Sequence, residues 1–114
     1  DASRGELMQG IGASSGKITG VARVLRSTDE AARLNPGEIL VARVINAGWT
    51  PLFHLAGGIV AEVGGVLSHG AIVAREYGIP AVFGAQGASH ITDGAIVTVD
   101  GDLGLVTLND PLDL

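Results

Sequence analysis

"IVAEVGGVLSHGAIVAREYGIPAVFG", residues 59–84, decides the fold. The β-branched run 59–63 reads as a strand, stops at Gly64-Gly65, and is followed by a helical segment from about His69 to Tyr77. Gly78 and Pro80 end that helix, and "PAVFG" (80–84) is a further short strand. Strand, glycine turn, helix and strand in this order predict an α/β unit with at least one parallel connection.

The flanking sequence extends the pattern. Upstream, "KITGVARVL" (17–25) and "EILVAR" (38–43) read as strands. "STDEAARLNPG" (27–37) between them reads as a short helix, with a Ser or Thr cap, acids in the first turn, and a Pro and Gly stop. "GWTPLFHLAGG" (48–58) offers Thr50 as N-cap and Pro51 at the first helical position, for a second short helix ending near Gly57. Downstream, "AIVTVDGDLGLVTL" (95–108) reads as two strands around a turn. The expected fold is a single α/β domain with a central mixed sheet, short helices and a C-terminal β hairpin.

Composition narrows the function. The 114 residues are enough for one core, which 46% hydrophobic content and scarce aromatics make a core of Val, Ile, Leu and Ala. A formal net charge of -5 with seven scattered Lys and Arg argues against nucleic acid as a partner. No apolar run reaches the ~18 residues of a membrane span. The first nine residues lack the regions of a signal peptide, and no cysteine is present, so a cytoplasmic location is expected.

A lone His beside apolar residues is most often a structural or surface residue, but the neighbours of His69 favour a chemical role. A glycine pair permits positive φ and close approach of a ligand to the backbone, and a strand-to-helix turn gathers unpaired N–H groups at the same spot. This is an anion site. At the positive end of the helix dipole the imidazole is favoured in its neutral, nucleophilic form, and the same dipole stabilises a phosphoryl group once attached. Ser68 is placed to cap the helix or to bond a phosphate. Arg75 lies about 120° round the helix from His69 and ~9 Å along it, so no contact between them follows from spacing.

Other motifs fail on their letters. Gly65 to Gly70 has the glycine spacing of a nucleotide-binding loop, but Ala71 and Ile72 stand where Lys and Ser or Thr are needed. Ser68 is three residues from Gly65, which breaks the hydrolase elbow G-x-S-x-G. His54, His69 and His90 are too far apart in sequence, with no Cys, to read as a zinc set, so no metal site is expected.

"GGVLSHGAIVAREYGIPAV" resembles the signature of the phosphohistidine swivelling (mobile) domain of the PEP-utilising enzymes. These include PEP synthase, pyruvate phosphate dikinase and rifamycin phosphotransferase. The resemblance runs from "GIGASSGKITGVARVL" (10–25), through "GEILVAR" and "GWTPLF", to "DGAIVTVDGDLGLVTL" (93–108). It implies a swivelling β/β/α domain spanning residues 1–114, with its core at about 10–108, taken from a larger multidomain phosphotransferase. His69 matches the phosphorylated residue of the family's motif; Gly64, Gly65, Ser68, Gly70 and Arg75 match positions that surround the phosphate.

The resemblance also implies partners. An ATP-binding domain donates the phosphoryl group, an acceptor domain for pyruvate/PEP or an antibiotic receives it, and the parent enzyme uses ATP and magnesium. The domain itself binds no cofactor and does not turn over alone. Glu62 before the glycines and Gly70 after the His are similar to the rifamycin phosphotransferase type, whereas "VINAGW" departs from the Thr-Asp-Pro common before that Trp. A non-catalytic module of the same fold is the reading from another class. "DASRGELMQG" and "NDPLDL" are expected to be remnants of flexible linkers.

Overall fold

The computed structural model describes residues 7–109. Eight strands form in chain order: β1 (Leu7–Gln9), β2 (Ile11–Ser14), β3 (Lys17–Val24), β4 (Ile39–Ala42), β5 (Gly58–Ala61), β6 (Ala81–Phe83), β7 (Ile96–Asp100) and β8 (Leu105–Leu108). One α-helix, α1 (His69–Tyr77), joins β5 to β6, and 3-10 turns occupy Thr28–Arg33, Ala47–His54 and Ala88–His90. The strand order is β1-β8-β7-β3-β4-β5-β6-β2. β3, β4, β5 and β6 run parallel in succession, and the remaining pairings are antiparallel.

β3 serves two sheets. Its first half, Lys17–Val21, pairs with β7, and its last residues, Ala22–Val24, pair with β4. The chain therefore folds over on itself at this strand, bringing the β7-β8 hairpin across one face of the parallel sheet. β4 is buried at every residue, as a strand covered on both faces must be. Alternate side chains then divide between two cores. Ile39, Val41, Val60 and Val82 pack with Val97, Val99 and Val106 of the hairpin. Leu40, Ile59, Ala61 and Phe83 point the other way, against Trp49, Phe53 and Ala71 of the helical layer. The result is the expected three-layer β/β/α domain. Among the described residues no helix is long and apolar enough to cross a membrane.

Three local expectations change. The two expected short helices form as 3-10 helices, Thr28–Arg33 and Ala47–His54, and the second ends before Gly57. In the second, Pro51 lies inside the turn and has no N–H to give to the carbonyl four residues back. Its cap is Asn46, whose Oδ1 accepts from the Gly48 N–H at 3.0 Å, which releases Thr50 from the capping role. Ser27 does cap the first, accepting from the Asp29 N–H at 3.2 Å.

The third change is at the ends. Leu7–Gln9 of the expected linker forms β1 against β8, and Asn109 donates its N–H to the Ile96 carbonyl, so ordered pairing extends beyond 10–108. The remaining linker residues, 1–6 and 110–114, lie outside the described residues. β1 and β2 are short edge strands separated by Gly10, and neither carries enough alternation to announce itself.

Candidate functional site

The site grows from the end of β5. Beyond Ala61 the chain keeps two more bonds to its neighbour, from the Glu62 N–H to the Ala42 carbonyl at 3.2 Å and from the Val63 N–H to the Arg43 carbonyl at 2.9 Å. Gly64 then turns it away with φ 121°. A Cβ here would suffer that backbone conformation and lie 3.0 Å from Phe83 Cδ2, so glycine is required. Gly65 is different. Its φ is not positive and a Cβ would meet nothing within 4 Å, so the conformational demand of the glycine pair rests on Gly64.

The Gly65 carbonyl closes the turn, accepting from the Ser68 N–H at 3.0 Å and the Ser68 hydroxyl at 2.7 Å. Ser68 is thus the N-cap by position, but its hydroxyl braces the turn and caps no helix N–H. The first helical bond runs from the Ile72 N–H to the Ser68 carbonyl at 3.1 Å. Three N–H groups, those of His69, Gly70 and Ala71, have no acceptor among the described residues. They are the partial positive charges of the helix start.

His69 is the first residue of α1 and exposed. Its Nε2 lies 3.2 Å from the Thr50 hydroxyl, so one ring nitrogen is engaged and Nδ1 is left without a protein partner among the described residues. Thr50, which its place before Pro51 suggests as a cap, is instead carried to the imidazole by the fold, nineteen positions from it in sequence. Gly70 is buried, and a Cβ on it would lie 2.9 Å from Phe83 Cζ and 3.0 Å from Ile45 Cγ2. Its small size lets α1 settle onto β6, which fixes the height of His69 above the sheet.

Arg75 points away from the imidazole. Its Nη1 donates to the Ala13 carbonyl and its Nη2 to the Val66 carbonyl, each at 2.7 Å. Glu62 braces the root of the loop from the other side, its carboxylate accepting from the Ser89 N–H at 3.0 Å and the Ser89 hydroxyl at 2.8 Å. Those bonds hold the Glu62 carboxyl below the ordinary carboxylate range. His54 stacks edge-on with Tyr77 at the far end of α1, roughly 12 Å along the axis from His69. His90 ends another turn. The three histidines therefore do not converge, and no group of three or more His, Asp or Glu side chains placed to hold a metal occurs among the described residues.

The arrangement is an exposed imidazole on a ledge at the head of α1, with N–H donors beside it that are unpaired among the described residues and a hydroxyl on one ring nitrogen. A model of the PEP-utilising enzyme family, mobile domain, matches residues 34–104, which include the whole of this ledge. The chain belongs to that family.

As a mobile domain it matches segments of much larger proteins. It is 53% identical over 100 residues to chondramide synthase of Chondromyces crocatus, covering 87% of this chain and 3% of that protein. It is 45% identical over 102 residues to rifampicin phosphotransferase of Bacillus cereus, covering 89% of this chain and 12% of that protein. The mobile domain thus spans a small fraction of these relatives. Among solved structures, the solution structure of Enzyme I superposes with a TM-score of 0.60 at 34% identity, over 72% of this chain and 35% of that one.

Proposed function

We propose that this mobile domain is a phosphohistidine carrier that accepts a phosphoryl group on His69 and delivers it to an acceptor held by another domain. The observation that carries the reading is His69 itself: an exposed imidazole at the first position of a helix whose opening N–H groups are unpaired among the described residues. In the loading step the lone pair of a neutral ring nitrogen forms a bond to phosphorus. The bond from phosphorus to the donor's leaving oxygen breaks, and that oxygen keeps the electron pair. The other ring nitrogen retains its proton. In the delivery step an acceptor oxygen attacks, its proton passes to a base, and the P–N pair returns to the imidazole. The helix N-terminus offsets the negative charge of the phosphoryl group throughout.

In this reading the nucleotide and its magnesium belong to an ATP-binding domain, and a third domain selects the acceptor. Identity of 45% to rifampicin phosphotransferase favours an organic hydroxyl as that acceptor over pyruvate. Higher identity to chondramide synthase means that the acceptor has to be read from the neighbouring domains. The test is to incubate the full-length parent protein and its His69→Ala variant with ATP labelled at the β-phosphate. Acid-labile, alkali-stable label in the wild type alone supports the carrier. No label with ATP or with labelled PEP, in a parent that folds and binds nucleotide, would leave a non-catalytic module of the same fold.

A further inference from the structure

We infer that Arg75 is a positioning residue which latches the His69 loop to the edge of the sheet, and that it acts through the Val66 carbonyl and not through its charge on the phosphoryl group. The role rests on the carrier reading for its consequence, but the latch is defined by geometry alone.

The irregularity in β2 comes first. β2 pairs with β6 through Gly12↔Val82 and Ser14↔Ala81, and the register slips between Gly12 and Ser14. Ala13 is the residue left without a partner in this register, as at a β-bulge. Arg75 takes the Ala13 carbonyl with Nη1 at 2.7 Å. Its other terminal nitrogen takes the Val66 carbonyl, also at 2.7 Å, in the middle of the turn that leads to His69. A second, longer contact ties the same two elements, from the Ser14 hydroxyl to the Ala74 carbonyl at 3.5 Å.

The planar fork holds the two carbonyls on separate nitrogens at a fixed spacing. One of them belongs to a strand whose backbone is fixed by the sheet, the other to a loop with a glycine pair at its head. The fork transmits the rigidity of the sheet to the loop. With Val66 held, the Ser68 to Gly65 turn closes, α1 starts at a defined residue, and His69 faces Thr50. A lysine would retain the positive charge, but its three donors sit on one nitrogen and do not reproduce the spacing of Nη1 and Nη2.

The test compares Arg75→Lys and Arg75→Gln with the wild type in the full-length parent, with Glu76→Gln as a neighbouring control. Two readings are taken on each protein, after its melting transition shows that it is folded. The first is amide hydrogen exchange at Ser68, whose N–H is protected only while the turn is closed. The second is the rate of His69 labelling from ATP. The latch requires at least tenfold faster Ser68 exchange and at least tenfold slower labelling in both Arg75 variants, with Glu76→Gln unchanged.

Wild-type labelling in Arg75→Lys beside slow labelling in Arg75→Gln would assign the role to charge and overturn the inference. Unchanged Ser68 exchange in both variants would overturn it as well. Should the wild type take no label at all, the carrier reading fails on its own, and Ser68 exchange still decides whether the latch exists.

Discussion

The Thr50 hydroxyl and His69 Nε2 meet at 3.2 Å, joining a 3-10 turn to the first residue of α1. The same two elements meet again at the other end of the helix, where the Phe53 and Tyr77 rings pack edge-on with centroids 6.2 Å apart and the Tyr77 hydroxyl lies 3.3 Å from His54 Nε2. Two separated contacts prevent the turn from rolling on the helix. The hydroxyl that steadies the imidazole is therefore placed by packing of the whole turn, and its loss has a readable effect. Thr50→Val keeps the shape and removes the hydrogen bond. His69 labelling slows by up to about tenfold, the worth of one hydrogen bond, while the melting temperature hardly moves. Thr50→Ser restores the rate. A Val variant labelled at the wild-type rate would show that the contact is incidental.

The glycine pair separates cleanly under substitution. Gly64→Ala places a Cβ on a backbone with φ 121° and against Phe83, and is expected to lose about 1–3 kcal/mol in urea unfolding. Gly65→Ala meets no neighbour and should stay within about 0.5 kcal/mol of the wild type. Gly70→Ala drives a methyl into Phe83 and Ile45 and costs about 1–3 kcal/mol by overpacking. Equal effects at Gly64 and Gly65 would mean that the turn does not have this shape in solution.

His69→Ala tests fold and function apart. The imidazole is exposed and its one hydrogen bond among the described residues is to a half-buried threonine, so unfolding free energy should change by no more than about 0.5 kcal/mol. All histidine-bound label should vanish. A variant that melts early would reveal a structural role that its exposure does not foretell.

The acid limb of stability is set far from the site. Arg23 binds Glu38 through two bonds, Nε to Oε1 at 3.0 Å and Nη2 to Oε2 at 2.7 Å, and holds its carboxyl at about 2 against an ordinary 4.5. A carboxyl depressed in the folded state adds stability that is fully present above the unfolded value and is lost as pH falls towards the folded one. Between pH 5 and about 2 the contribution to be lost is roughly 1–2 kcal/mol, less than the shift alone would give because water screens a surface pair. Glu38→Gln should lower the urea midpoint at pH 6 and flatten its fall across this window. An unchanged slope would mean that other carboxylates govern acid unfolding.

The central β5-α1-β6 unit was legible because its signals are local. The β-branched run, the glycine pair, the apolar spacing from His69 to Tyr77 and the left-handed cap at Gly78 each act within a few residues. The hairpin around Asp100 to Gly104 was legible for the same reason. What escaped was set by partners distant in sequence. β1 exists because β8 offers it an edge, and Thr50 matters because packing carries it to a histidine nineteen positions away. Arg75 could be placed on its helix by angle, but the bulge at Ala13 that gives it a partner left no mark in the letters. Gly64 and Gly65 look identical in sequence, and only a backbone angle tells them apart.

β1 and β8 lie side by side, with Leu7 opposite Thr107, so the described chain enters and leaves at neighbouring points on one edge. His69 sits on the helical layer that covers the other sheet. Such a unit behaves as a cassette: it can be spliced into a host at what is nearly a single point, without stretching its own core or prising apart the host. Recombination then needs only one permissive surface position. The segments that match this chain make up shares as different as 3% and 12% of the proteins that hold them.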